Sequence, residues 1–392
     1  MSAAQYEAHP HMAALVEELN RAGAIRTQEW ANVFATVPRH AFVPQWYEQE
    51  TDDRGIAVWR HRSITNEGAL WDVYRDMTLV TALDPMTAKR VADDAWTGMP
   101  TSSSTLPSLM AGMLEELTVE DGHSVLEVGT GTGYNAALLC ARLGDALVYS
   151  VDVDQALVGA ARDRLRSVGF EPQLLAGDGT HGYPQAGLFD RIIATCSVPS
   201  VPDAWIEQLR PGGVLLTDVA LGIEGGLVRL SVGSDRRARG FFTTTAGRFM
   251  AARRDARTYA SPNRAERPPT IGARPTGLTA AEIRGNYPLR LVLAFQLPAT
   301  ELVYHVDDKT GETALQLQRS DGSWARVPLA GENQDRVTFG GDEGLWKHAE
   351  EAWVWWNSVG RPTQDRFGYA RETDGSAYVW HLHDGTRWNL PS

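Results

Sequence analysis

Three glycines at alternate positions, Gly129, Gly131 and Gly133, separate an apolar run that includes Glu127 from a helical pattern beginning at Tyr134. A glycine turn between strand and helix cradles ligands, because amides at the helix start point outward and no Cβ blocks close approach. A pyrophosphate fingerprint, G-x-G-x-x-G, would need glycine where Tyr134 stands. A triphosphate loop would need G-K-[ST], and this turn has no lysine. Both phosphate chemistries are therefore disfavoured. Two carboxylates follow at useful spacing. Asp152 closes the next apolar run, ALVYSVDVD, about 20 residues beyond the turn, where an acceptor takes both hydroxyls of a ribose. Asp154 is placed instead to cap the following helix. Asp178 ends a third run, LLAGDGT. The competing reading of Asp152 and Asp178 is a helix or turn cap. A hydroxyl-rich run, Thr101 to Thr105, stands before Pro107 and either orients a polar acceptor or starts the helix that the proline opens.

The pattern around these residues predicts helix 107–117, strand 124–129, helix 133–143, strand 147–152, helix 154–168, strands 172–176 and 189–195, helix 202–209, and strands 213–219 and 226–232. Strands alternating with helices imply an α/β fold, a doubly wound, Rossmann-like parallel sheet. Ahead of it, residues 11–36 read as two short helices broken at Gly23, and residues 45–100 as irregular, a lid or a wall of a site. Beyond it, the Pro/Arg-rich run SPNRAERPPTIGARP reads as a linker. Short strands with Asp-Gly turns follow, with one helix over GLWKHAEEAWVWWNSVG ended by Gly360. Four parts result: an N-terminal helical and irregular segment (1–100), a ligand-binding α/β domain (101–258), a linker (259–275) and a smaller β-rich α+β extension (276–392).

The composition excludes several functions. With 43% hydrophobic and 22% charged residues among 392, the chain is an ordinary globular one, long enough for two cores. A formal net charge of −12 without Lys/Arg blocks disfavours nucleic acid and anionic membrane as partners. The acidic N-terminus lacks a signal-peptide pattern, so a cytoplasmic location is expected. Cys140 and Cys196 read as reduced packing thiols. His381 and His383 share a strand face, but without further ligands they read as surface histidines, and no metal site is expected. Trp353 to Trp356 read as core of the extension.

The acidic-x-G-x-G-x-G form, Glu127 ahead of the three glycines, resembles the first motif of class I S-adenosyl-L-methionine (AdoMet) methyltransferases. The run GDGTHGYPQAGLFDRI, Gly177 to Ile192, resembles the signature of protein-L-isoaspartate O-methyltransferases. Gly177, Asp178, Gly179, Gly182, Tyr183, Phe189, Asp190 and Ile192 match, while Gly187-Leu188 departs from that family's small residue plus proline. VPRHAFVP and LRPGGVLL resemble two further family segments. The resemblance implies AdoMet as cofactor and S-adenosyl-L-homocysteine as product. It implies cofactor contacts from Glu127, Gly129, Thr130, Gly131, Gly133, Tyr134, Asp152, Val153, Gly177, Asp178 and Gly179, with Asp152 on the ribose and Asp178 near adenine. The family's T-I-S-[QA]-P segment falls on Ser103 to Pro107, which puts the family serine at Thr105, with Ser104 and Ser103 as alternative acceptor-orienting residues.

A repair enzyme of this family would be complete near residue 255. The extension resembles that of actinobacterial homologues that methylate aspartate in ribosomally made peptides of the lanthipeptide, lasso peptide and graspetide types, leading to aspartimide or isoaspartate. The leading expectation is thus a monomeric enzyme that esterifies an aspartate carboxylate in a modified ribosomal precursor peptide, with the extension recognising substrate. The alternatives are isoaspartate repair of damaged proteins and an AdoMet-fold binding module without catalysis.

Overall fold

The computed structural model describes residues 3–51, 57–255, 267–307, 310–331 and 333–391, with side chains from residue 8. The chain divides into two compact units. The first gathers residues up to 196, 202–217 and the described residues of 249–255; the second gathers 197–201, 218–248 and the described residues from 267 onward.

The first unit opens with helices α1 (Ala3–Arg21), α2 (Gln28–Thr36) and α3 (Arg39–Phe42). Then come β1 (Gln45–Thr51), β2 (Ala57–Ser63), α4 (Ala69–Val73), β3 (Leu79–Leu83), β4 (Lys89–Ala92), β5 (Ala95–Thr97) and β6 (Pro100–Ser104). These strands form an antiparallel sheet in the order β4-β5-β2-β1-β3-β6. The sheet corrects the expectation of an irregular 45–100. Its two-residue period is real, but one face alternates in charge rather than in hydrophobicity. Glu48 and Glu50 pair with Arg62, and Glu50 and Asp94 pair with Arg60, so the strands carry charges where an apolar stripe would be sought.

The α/β part follows as expected: α5 (Pro107–Leu117), β7 (Val125–Val128), α6 (Tyr134–Leu143), β8 (Val148–Asp152), α7 (Gln155–Ser167), β9 (Gln173–Ala176), β10 (Phe189–Val198), α8 (Asp203–Glu207) and β11 (Leu209–Ala220). β9, β8, β7 and β10 lie side by side in that order, all parallel, and β11 follows β10. All four residues of β7 are buried, as in a central parallel strand covered on both faces. Asp154 caps α7 as read from the sequence, accepting from the amides of Ala156 and Leu157.

The second unit contains β12 (Gly225–Val232), β13 (Ala238–Phe242), β14 (Gly272–Pro275), α9 (Ala280–Gly285), α10 (Tyr287–Gln296), β15 (Glu301–Val306), β16 (Thr313–Gln318), β17 (Trp324–Pro328), β18 (Arg336–Gly340), α11 (Gly344–Ser358), β19 (Phe367–Arg371), β20 (Ala377–His381) and β21 (Arg387–Leu390). One run of antiparallel strands is β12-β13-β19-β20-β21 and a second sheet is β14-β18-β17-β16-β15. Trp346 and Trp356 are buried on α11, and Leu289 and Leu291 to Phe295 on α10. Trp353 and Trp355 are only half-buried, so the tryptophan run is core in part.

Two boundaries differ from the sequence reading. Residues 218–248, expected in the α/β domain, group with the extension because β13 hydrogen-bonds to β19 in the register Ala238↔Arg371 to Phe241↔Gly368. Of the expected linker, residues 259–266 lie outside the described residues, and Gly272–Pro275 is strand β14, paired with β18. Pro275 is tolerated there because β14 is an edge strand. His381 is not a surface residue either. It is buried, pairs with Asp384 at 2.9 Å and packs against Trp355. No cluster of potential metal ligands occurs among the described residues, and no helix among them is long and apolar enough to cross a membrane.

Candidate active site

The glycine turn joins β7 to α6. Gly129 has φ 102° and Gly133 φ 88°, a region that side chains with a Cβ rarely occupy. A Cβ on Gly129 would also lie 2.6 Å from Thr195 Oγ1, and one on Gly133 3.1 Å from the Cβ of Ala161 on α7. The turn is tied to the end of β8: Gly129 N–H donates to the Val151 carbonyl at 2.8 Å, and Gly131 N–H donates to Asp152 Oδ2 at 2.8 Å.

Asp152 is thus both a carboxylate beside the turn and part of what shapes it. Its Oδ1 accepts from Asp154 N–H at 3.1 Å, leaving further lone-pair sites on both oxygens. Burial raises its pKa, opposed by these two amides. Val153 and Gly177 lie half-buried beside it, and Gly177 N–H donates to the Asp152 carbonyl at 2.8 Å. Asp178 realises the capping alternative: its Oδ1 accepts from the amide and hydroxyl of Thr180 at 2.9 and 2.7 Å. Gly179 is held close over Val128, where a Cβ would sit 2.5 Å from Val128 Cγ1.

Beneath the turn lies a chain of buried hydrogen bonds. Thr130 Oγ1 and Ser150 Oγ are 2.6 Å apart, Ser150 Oγ donates to Glu127 Oε2 at 2.5 Å, and Asn135 Nδ2 donates to Glu127 Oε1 at 2.8 Å. Glu127 has no exposure, and the loss of water pushes its pKa up to about 7 despite these donors. Two buried atoms of the residues that open α6 have no hydrogen-bond partner, Asn135 Oδ1 and the Tyr134 hydroxyl. The Tyr134 ring packs against Phe34 and Phe42.

Ser103, Ser104 and Thr105 reach the same place from the antiparallel sheet. With Glu127, Gly129, Thr130, Gly131 and Tyr134 they line one cleft, to which Met110, Thr132, Asn135 and Thr195 also contribute. A Cβ on Gly131 would be 3.8 Å from the Ser103 carbonyl, so segment and turn face each other across a narrow gap. None of the three hydroxyls caps α5. Leu106 holds the N-cap position, and Asp76 Oδ1 accepts from the Ser108 amide instead.

Arg39, within VPRHAFVP, is a residue whose role the sequence reading missed. It has no exposure, and its guanidinium donates to the carbonyls of Val73, Arg75, Met77, Ser104 and Thr105 at 2.9 to 3.3 Å and to Ser104 Oγ at 3.3 Å. Burial lowers its pKa to about 10, which leaves it charged at neutral pH. Arg39 therefore fixes the peptide planes at Ser104 and Thr105 and engages the Ser104 hydroxyl. Of the three cleft-lining residues, Ser104 is the one whose hydroxyl Arg39 engages. A signal was present: an arginine enclosed by Val37, Pro38, Phe42 and Val43 must bring its own acceptors or stay outside the core.

A parallel sheet with a glycine turn and acidic residues at the ends of successive strands defines a class I methyltransferase fold. A family model described as protein-L-isoaspartate(D-aspartate) O-methyltransferase matches residues 86–238. The protein-L-isoaspartate O-methyltransferase of Methanopyrus kandleri is 34% identical over 209 residues, 52% of this chain and 75% of that one. That of Xanthobacter autotrophicus is 40% identical over 164 residues, 40% of this chain and 71% of its own. The chain belongs to the protein-L-isoaspartate O-methyltransferase family. A solved protein-L-isoaspartate O-methyltransferase shares the fold with a TM-score of 0.52 at 21% identity, covering 94% of this chain and 98% of that one. The likeness in fold runs past residue 255, where the sequence reading ends the family resemblance, and takes in most of the extension.

Proposed function

We propose that this protein transfers a methyl group from AdoMet to the carboxylate of an isoaspartyl residue in a protein or peptide. What carries the reading is the meeting, in one cleft, of the glycine turn with the hydroxyl segment ahead of Pro107. The extension no longer favours ribosomal-peptide tailoring, since the fold likeness to a solved isoaspartate methyltransferase includes it.

The cleft suits the cofactor. The unpartnered Asn135 Oδ1 and the buried Glu127 carboxylate offer acceptors to a ligand with an ammonium and a positive sulfur. Asp152 has lone pairs left for two ribose hydroxyls, and Asp178 Oδ2 is available for an amino group beyond the Thr180 contacts on Oδ1. When bound, AdoMet supplies an electrophilic methyl on a sulfonium. The acceptor carboxylate, with a pKa of about 4, is already ionised at neutral pH, so no side chain need remove a proton. The protein's share is alignment and exclusion of water. Ser103 and Thr105 donate hydrogen bonds that orient the carboxylate, Arg39 holds their segment rigid, and Tyr134 with Phe34 and Phe42 forms a dry wall.

The test is methyl transfer from labelled AdoMet to two synthetic peptides that differ only in carrying L-isoaspartate or L-aspartate. Methylation of the isoaspartyl peptide alone is expected. Methylation of the aspartyl peptide alone would restore the ribosomal-peptide reading, and neither, with AdoMet bound, would leave a binding module.

A further inference from the structure

Alternation in β1 and β2 sends the charged pairs, with Trp46, to one face of the antiparallel sheet and Tyr47, Trp59 and His61 to the other. On that second face the register draws a continuous row. Ser103 of β6 stands opposite Val80 of β3, Val80 opposite Tyr47 of β1, and Tyr47 opposite His61 of β2. Two residues along β2, Trp59 stands opposite Trp96 of β5, and Trp96 opposite Arg90 of β4. Residues directly opposite in antiparallel strands share a face, so the row starts at a residue that lines the cleft and runs away from it over aromatic rings. Tyr47, His61 and Trp96 form a mutual cluster with centroids 5.5 to 6.1 Å apart. Trp59 is fixed by its indole N–H, which donates to the Gly98 carbonyl at 2.9 Å, and the Arg90 guanidinium lies over Trp96. All four aromatic residues are half-buried.

We propose that this row is the docking surface for the acceptor peptide, which lies extended across the strands with its carboxylate at Ser103. The inference rests on the carboxyl-methylating reading above. Continuity with the cleft gives the occupant: Ser103 lines the cleft, and the register carries on from it through the buried Val80 to the half-buried Tyr47. Four strand spacings separate β6 from β5, about 19 Å, which an extended peptide covers in about six residues. The rings suit an apolar or aromatic side chain within that distance, and Arg90 and His61 suit an acidic one near its far end. Tyr47, Trp59 and His61 lie outside residues 86–238, the stretch that the family model matches.

The experiment compares the wild-type chain with Tyr47→Thr, Trp96→Thr and the double variant, all strand-compatible changes. The probes are an L-isoaspartyl tetrapeptide and an L-isoaspartyl dodecapeptide carrying phenylalanine on both sides, with the aspartyl forms alongside. Calorimetric AdoMet binding serves as the folding control, and peptide binding is titrated independently of turnover. The dodecapeptide KM should rise about tenfold or more in the double variant, with kcat, AdoMet affinity and the tetrapeptide parameters held. Methylation by the wild type with a dodecapeptide KM indifferent to the row overturns the docking surface alone. Wild type that binds AdoMet but neither binds nor methylates any of the peptides overturns the reaction and the surface together. Row variants that alter oligomeric state in light scattering while leaving KM intact make the face a contact between copies, and the proposal fails. If the double variant does not fold, the single variants decide by the same criteria.

Discussion

Replacing Glu127 by glutamine removes one ionisable group from beneath the glycine turn while keeping its shape. Burial lifts this carboxyl from the usual 4.5 to about 7. Well below 4.5 it is protonated in folded and unfolded chains alike, and its contribution to stability is fully present. Between the two values the unfolded chain releases the proton and the folded chain keeps it. Stability then falls as pH rises, by about 1.4 kcal/mol per pH unit. Above about 7 both states are ionised, and the loss levels off at about 3 kcal/mol in all. Glutamine has no proton to lose, so Glu127→Gln should lack this falling limb. Urea or thermal unfolding of both proteins without AdoMet, from acid to slightly alkaline pH, gives the stability difference directly, and other titrating groups cancel. That difference should shift by about 3 kcal/mol in the variant's favour as pH rises across the window. Parallel curves would refute the account, because they would mean that Glu127 titrates alike folded and unfolded. With AdoMet present, the ligand's positive charge should favour ionised Glu127 and move the wild-type limb to lower pH.

Asp152→Ala should weaken AdoMet binding by about 1.5 to 3 kcal/mol in calorimetry, through loss of a ribose acceptor and of the Gly131 anchor; unchanged affinity in a folded variant would remove Asp152 from the site. Ser103→Ala combined with Thr105→Ala should lower kcat well beyond any change in AdoMet affinity, whereas Ser104→Ala, whose hydroxyl is turned to Arg39, should cost less; equal kinetic losses would contradict the geometry. Arg39→Lys cannot reach five carbonyls and the Ser104 hydroxyl at once, so turnover should fall while AdoMet still binds; wild-type kcat in the lysine variant would show that the fork is not needed. Truncation near Arg274, which would leave a separate α/β enzyme if the extension were only a recognition module, should instead give poorly soluble protein, because it deprives β13 of β19; a soluble, AdoMet-binding truncate would argue against this.

The α/β part was legible because its signals are local. The turn at Gly129–Gly133, Asp152 at the end of β8 and the Asp154 cap each lie within a few residues of what they support. The sheet over 45–104 was not, since its strands mix Trp46 with Glu48 and Val58 with Arg60 on one face and no apolar stripe marks either. Arg39 could be placed in a motif but not given acceptors, because those come from residues 73–77 and 104–105, gathered only by folding. The membership of residues 218–248 was hidden for the same reason: the match of β13 to β19 is a pairing between distant segments without a local trace. The hydroxyl run put Thr105 first with Ser104 and Ser103 as alternatives; all three line the cleft, and Arg39 engages the Ser104 hydroxyl.

The pairing of β13 with β19 also has a consequence on the ribosome. Synthesis proceeds from Phe241 to Gly368 before that ladder can close, so β13 emerges with an open edge and waits while both strands and helices of the rest of the second unit are made. Contacts of such long sequence separation form late, and an unpaired edge is the kind of surface on which nascent chains associate. Expression yield should therefore respond to elongation speed and chaperone supply over codons 243–371 more than over the α/β part.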